Sequence, residues 1–80
     1  MEKLLDQRIE VNPRVMVGKP VIRGTRIPVE LIVRMLAQGI PEPDILREYP
    51  NLEPEDIRAA LDYAARVLAD EAVFPLTFAG

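Results

Sequence analysis

The 80-residue sequence contains no cysteine and no histidine. The missing cysteine excludes disulfides and thiolate metal sites, and the missing histidine removes the commonest metal ligand and the usual general base of enzymes. No apolar run approaches the roughly 20 residues that a membrane-spanning helix needs. Acids interrupt the first six residues, so the N-terminus does not resemble a signal peptide. We therefore expect a soluble, cytoplasmic protein with no metal, no cofactor and no membrane partner.

The charge is unevenly distributed along the chain. The formal net charge is −3. Residues 1–34 hold seven cations and four acids, whereas residues 35–80 hold three arginines and nine acids. Such asymmetry indicates that the two ends of the chain have different partners.

Residues 1–70 are expected to form one domain, beginning with a small β region at 8–28. β-branched residues such as Val17 recur there, and several alternate with polar neighbours. Pro20 and Pro28 lack the N–H that a central strand needs, so any sheet is small and mostly edge. The pattern leaves open whether its strands pair within one chain or between two.

Helical spacing of apolar residues begins near residue 28 and predicts helices at about 28–38, 42–48 and 54–70. Gly39 suits the left-handed position just past the first helix. Leu52 and Ile57 are spaced as a hydrophobic staple at the start of the third helix. One face of that helix is predicted to be buried, and its members are Ile57, Ala60, Leu61, Ala64, Val67 and Leu68.

The apolar C-terminal tail, residues 71–80, carries both phenylalanines of the chain and no charge from Val73 onward. An exposed apolar tail is a liability unless it docks. Two interpretations remain open: the tail folds back on its own core, or it binds a partner through Phe74, Leu76 and Phe78.

The glycine-rich stretch at residues 18–25 superficially resembles a phosphate loop. In the Walker pattern Lys and then Ser or Thr follow the second glycine. Here Thr25 follows Gly24 directly and Lys19 lies on the wrong side, which argues against nucleotide hydrolysis.

The acids Glu53, Glu55 and Asp56 are the strongest candidates for a carboxylate pair or a metal cluster. Their position at a helix start explains them without chemistry, because acids there favour the helix dipole. No base or nucleophile is spaced to join them. We predict that the protein is not an enzyme.

Two elements are candidates for nucleic-acid binding. The second and third helices have helix-turn-helix proportions, but acids at the start of the third helix repel DNA phosphates, which favours a plain three-helix scaffold. The cations of the β region are better candidates, since paired ribbons can enter a groove of DNA. Alternatively, these cations pair with carboxylates of the third helix or of a second subunit. The cations concerned are Arg14, Lys19, Arg23 and Arg26.

The string GKPVIRGTRIPV at residues 18–29, Gly39, and Tyr-Pro-Asn-Leu at residues 49–52 together resemble the DUF433 family, small prokaryotic proteins regarded as antitoxin-like. The resemblance covers about residues 8–68. It implies a mainly α fold, in which a small N-terminal β region precedes a three-helix homeodomain-like (helix-turn-helix) bundle. Pro41 and Glu53 depart from the family, which tends to have Ser or Thr there.

The resemblance also implies a homodimer or higher homo-oligomer, and pairing with a PIN-like nuclease toxin. Our leading hypothesis is therefore a non-catalytic antitoxin-like module that neutralises the toxin through Phe74, Leu76 and Phe78. Under this hypothesis, five residues of the β region are predicted to contact either operator DNA or a second subunit: Arg14, Lys19, Arg23, Thr25 and Arg26. The alternatives are a stand-alone DNA-binding regulator and a structural oligomerisation domain.

Overall fold

The computed structural model describes residues 7–14 and 16–70. Two short strands are followed by three helices, in the order β1 (Ile9–Val11), β2 (Pro20–Ile22), α1 (Val29–Ala37), α2 (Glu42–Glu48) and α3 (Pro54–Asp70). The predicted fold class, three helices behind a small β region, is confirmed. None of the helices in the described ranges is long and apolar enough to cross a membrane.

The two strands pair antiparallel within one chain, with Ile9 opposite Ile22 and Val11 opposite Pro20. Ile9 and Ile22 are buried, so one face of this small sheet packs on the helices. A two-stranded sheet is marginal by itself and needs such a packing partner. The question that the sequence left open is therefore answered in favour of pairing within the chain.

Val17 was expected in an extended piece, and that expectation is wrong. It lies in a 3-10 turn, Met16–Gly18, with φ 55° and ψ 41°. The antiparallel strands on either side force the chain to reverse direction between residues 12 and 19, so a β-branched residue falls in the turn despite its strand propensity. A left-handed conformation costs a non-glycine residue roughly 1–2 kcal/mol, and the Val17 side chain is exposed.

Helix α1 is closed by the backbone at both ends. Pro28 is extended and caps the helix, so α1 begins at Val29, one residue later than expected. At the other end Gly39 has φ 85°, its N–H donates to the Leu36 carbonyl, and the Ile40 N–H donates to the Met35 carbonyl. These two bonds form a Schellman motif, which needs a residue with positive φ at the glycine position.

Helix α3 buries only its N-terminal half. Leu52, Ile57, Ala59 and Ala60 belong to the core, as the staple predicts for the first two. The predicted continuous buried face is wrong beyond that point. Seventeen residues make α3 about 25 Å long, whereas the nine residues of α1 span about 13 Å, so α3 extends past its neighbours. The exposed fractions are 43% for Leu61, near the middle of the helix, and 38% for Val67 and 59% for Leu68 in its C-terminal half.

Candidate functional site

A tight turn over residues 22–25 connects β2 to α1. The Thr25 N–H donates to the Ile22 carbonyl at 3.0 Å, and Gly24, third in the turn, has φ 81° as a type II turn requires. The Thr25 hydroxyl donates to the Ile22 carbonyl at 2.7 Å and accepts the Ile27 N–H at 2.9 Å. The structure therefore places the predicted contact residue Thr25 in the hydrogen bonding of the turn itself.

Arg23 ties this turn to the chain that enters β1. Its Nε donates to the Gln7 carbonyl at 2.6 Å, and its Nη2 lies 3.4 Å from the Ile9 carbonyl. The side chain is exposed, yet its donors are directed at backbone carbonyls of the same chain. Arg23 consequently has a structural role whether or not it also meets a partner.

The other predicted cations divide into one paired and two unpaired side chains. Lys19 Nζ lies 3.5 Å from Glu30 Oε1 on α1. Arg14 and Arg26 are exposed, and their side chains make no hydrogen bond or ion pair with another residue in the described ranges. Of the four cations predicted to contact DNA or a second subunit, Arg14 and Arg26 are thus the two whose guanidinium groups point to solvent without a partner in the described residues.

Arg8, which the sequence did not single out, binds the acids at the start of α3. Its Nη1 lies 2.8 Å from Asp56 Oδ1 and 3.1 Å from Glu53 Oε1. The Asp56 side chain is only 7% exposed, and its Oδ2 accepts the Glu53 N–H at 2.8 Å. An arginine does bridge carboxylates of the third helix, but it comes from the segment before β1 instead of from the basic turn. The sequence feature that could have indicated this cluster is Asp56, an acid at the third position of the helix. A carboxylate at that position turns back to accept the backbone N–H of the residue that caps the helix.

The Arg8 guanidinium has its pKa raised above the ordinary value by its hydrogen bonds to Asp56 and then to Glu53. When folding raises the pKa of a group, the charged form of that group stabilises the folded state. This stabilisation is complete at pH values below the pKa in the unfolded chain, and it is lost as the pH rises through the pKa in the folded chain. For an arginine both values lie far above neutrality, so the Arg8 cluster keeps its charge across the physiological range.

The start of α3 remains acidic around this cluster. Glu53 keeps 63% of its side chain exposed, and Glu55 is exposed beside it. In a helix-turn-helix protein the start of the second helix approaches DNA phosphates. The arrangement therefore disfavours α3 as a DNA-reading helix, as the sequence predicted.

An open apolar groove of about 480 Å³ lies between α1 and α3, and is called the α1–α3 groove below. Helix α1 contributes Val29, Val33 and Ala37. Helix α3 contributes Tyr63, Ala64, Val67 and Leu68, and Pro20 and Pro28 line it from the β region. The groove lies between α1 and the C-terminal half of α3, where Tyr63 and Ala64 are half-buried and Val67 and Leu68 are exposed. Apolar grooves of this size are typical of docking sites.

Three charged side chains on the rim of the groove form a chain of ion pairs. Glu30 accepts from Arg34 at 2.7 Å, one helical turn away, and lies 3.5 Å from Lys19. All three are about half exposed, so these pairs contribute little to stability. Their effect is to leave one net positive charge beside an otherwise apolar wall.

The predicted toxin-binding residues Phe74, Leu76 and Phe78 lie outside the described residues. Helix α3 ends at Asp70, two residues beyond the groove residue Leu68. Within the ranges 7–14 and 16–70, no group of three acids, histidines or cysteines is arranged to hold a metal ion.

A small antiparallel β-sheet, a three-helix bundle and an apolar groove between the first and third helices define a β-plus-trihelical domain. A family model described as "Protein of unknown function (DUF433)" matches residues 9–64. The chain belongs to this DUF433 family.

Solved and curated relatives agree with this membership. The crystal structure of a DUF433 member protein from Anabaena variabilis ATCC 29413 superposes with a TM-score of 0.73 at 38% identity, covering 81% of this chain and 64% of that one. The protein named "Uncharacterized protein y4eO" from Sinorhizobium fredii (strain NBRC 101917 / NGR234) is 40% identical over 53 residues. A protein from Archaeoglobus fulgidus is 62% identical over 29 residues, which is 36% of this chain and 81% of that relative.

The chain is shorter than some of these relatives. The match spans 66% of this chain but only 24% of the Sinorhizobium protein. These relatives therefore share the β-plus-trihelical domain with this chain. Most of the Sinorhizobium protein lies outside the matched region.

Proposed function

We propose that this chain is a cytoplasmic, non-catalytic antitoxin-like module that binds a PIN-like nuclease toxin and neutralises it by contact. The observation that carries the proposal is the exposed apolar end of α3. Val67 and Leu68 are solvent-exposed there, and the chain continues from them into the apolar stretch with Phe74, Leu76 and Phe78. Exposed apolar side chains at the end of a helix, followed in sequence by further apolar residues, favour a protein partner.

Charge supports a nuclease as that partner. Residues 41–70 contain eight acids and three arginines, and one of the acids, Asp56, is buried against Arg8. A nuclease site attracts phosphates and therefore presents positive potential, so an acidic surface on its inhibitor speeds association and favours the correct partner.

The test is whether the full chain binds and inhibits a PIN-like nuclease from the same operon, and an operon without such a gene would count against the proposal. Replacing Phe74, Leu76 and Phe78 together by Ala in the full chain is expected to abolish co-purification with the nuclease and to restore its RNA cleavage. The matched control is Val11→Ala, which alters an exposed apolar residue on β1, and it should bind like the parent. Full inhibition by the triple variant would overturn the proposal.

Operator DNA is a second candidate partner, favoured by the exposed and unpaired guanidinium groups of Arg14 and Arg26. The candidate predicts binding to DNA from the chain's own promoter, with an affinity that falls steeply as salt rises. Arg26→Ala should weaken this binding and reduce its salt dependence. Arg26 is a cleaner choice than Arg23, whose removal also releases the Gln7 carbonyl. Arg47→Ala is the control, since Arg47 is exposed but paired with Asp44 at 2.9 Å.

A homodimer or higher homo-oligomer is the assembly that we propose for the free chain, and light scattering over a range of concentrations tests it. A monomer at all concentrations would count against the dimer and against the structural oligomerisation alternative. It would leave the toxin hypothesis standing.

A further inference from the structure

We infer that, in the free protein, residues 73–78 of the C-terminal tail occupy the α1–α3 groove of the same chain. The inference concerns the isolated chain and does not depend on the toxin hypothesis. It joins two observations: a groove that the described residues leave open, and an apolar stretch of sequence that begins beside it.

Position is the first argument. Val67 and Leu68 line the groove, and α3 ends two residues later at Asp70. The occupant therefore starts two residues beyond the groove residue Leu68.

Length is the second argument. Residues 71–78 can span about 26 Å when extended. The groove runs along α3 only from Tyr63 to Leu68, which is about 7.5 Å of helix. The segment is long enough to reverse direction after Asp70 and return along the groove. Pro75 disfavours the alternative of extending α3, because a proline inside a helix removes a backbone hydrogen bond and clashes with the preceding turn.

Chemistry is the third argument. The walls of the groove are aliphatic and aromatic, with Val33, Ala64 and Val67 at their centre. Residues 73–78 contain Val73, Phe74, Leu76 and Phe78 and no charged group. Burying these side chains against the walls removes apolar surface of both from water.

The chain supplies its own reporter for a test. Phe74 and Phe78 are its only phenylalanines, so every phenylalanine ring signal in an NMR spectrum comes from the tail. We expect nuclear Overhauser contacts from at least one of these rings to the methyl groups of Val33, Ala64 or Val67 in the full chain. The contacts should persist on dilution and should be absent from isotope-filtered spectra of mixed labelled and unlabelled protein.

A matched pair of variants separates docking in the groove from nonspecific contact. Ala64→Glu places a charge in the groove, whereas Ala65→Glu places the same charge on the neighbouring exposed position, which does not line it. We expect the ring contacts to disappear in Ala64→Glu and to remain in Ala65→Glu, with unchanged helix content by circular dichroism in both.

Three outcomes would overturn the inference. The ring contacts are absent from the parent chain, they appear only between molecules and so report a second copy in the groove, or they survive Ala64→Glu unchanged. If Ala64→Glu lost its helix content, Val67→Asp would replace it, with the Ala65→Glu control retained. None of these outcomes decides the nuclease test, which measures a complex instead of the free chain.

Discussion

The two halves of α3 are built by different means. In the N-terminal half Ile57, Ala59 and Ala60 have no exposed surface, and Asp56 is fixed by both Arg8 and the Glu53 N–H. In the C-terminal half, Leu68 is more than half exposed. The first half of this helix is therefore held by the core and by the Arg8 cluster, whereas in the second half Tyr63 still packs on the core but the other helices leave Val67 and Leu68 uncovered.

The largest expected effect is on the packed half. Ile57→Ala removes a fully buried side chain and should lower the free energy of unfolding by about 2–5 kcal/mol, a large part of what a small domain has. Leu61→Ala, one turn further along and 43% exposed, should cost about 1 kcal/mol or less. Urea denaturation of the two variants measures the difference. Equal costs would mean that the two halves are packed alike.

Next in size is the charged cluster at the start of α3. Asp56→Ala removes both the helix cap and the partner of Arg8, and should cost about 1–2 kcal/mol. Glu55→Ala alters an exposed neighbouring acid and should stay within about 0.5 kcal/mol. Thermal unfolding at pH 7 distinguishes them. If both variants melted like the parent, the cluster would have no part in the stability of the first half.

The smallest expected effect falls on the unpacked half. Asp62 and Arg66 form an exposed pair at 4.0 Å, four residues apart. Asp62→Ala should cost about 0.3–0.5 kcal/mol, and less at high salt, where the pair is screened. Urea denaturation at low and high ionic strength checks both statements. A salt-independent loss above about 1 kcal/mol would show that this half has tertiary support.

Much of the fold could be predicted because its signals are local. Gly39 marks the end of α1, and Leu52 with Ile57 marks the start of α3, since each involves residues within a few positions of one another. Arg8 could not be predicted in the same way, because its partner Asp56 lies 48 residues away in sequence. Only the packing of the chain before β1 against α3 brings the two together.

The candidate site was less accessible to prediction for a related reason. The groove depends on how α1 and α3 are placed against each other. Its lining residues come from segments that are far apart in sequence, at 19–20, 28–37 and 63–68. The helical spacing of Val67 and Leu68 resembles that of core residues. Spacing alone does not say where the neighbouring helix ends.

Pro20 and Pro28 of the β region also decide how this sheet meets other chains. Ile22 donates its N–H to the Ile27 carbonyl, on the side of β2 that faces away from β1. Pro20, two residues earlier, points its nitrogen to the same side and has no N–H to offer. The outer edge of β2 therefore presents no free donor, and Pro28 bridges to Val21 across it. A third strand from another molecule cannot be added along this edge, which protects the chain against edge-to-edge aggregation.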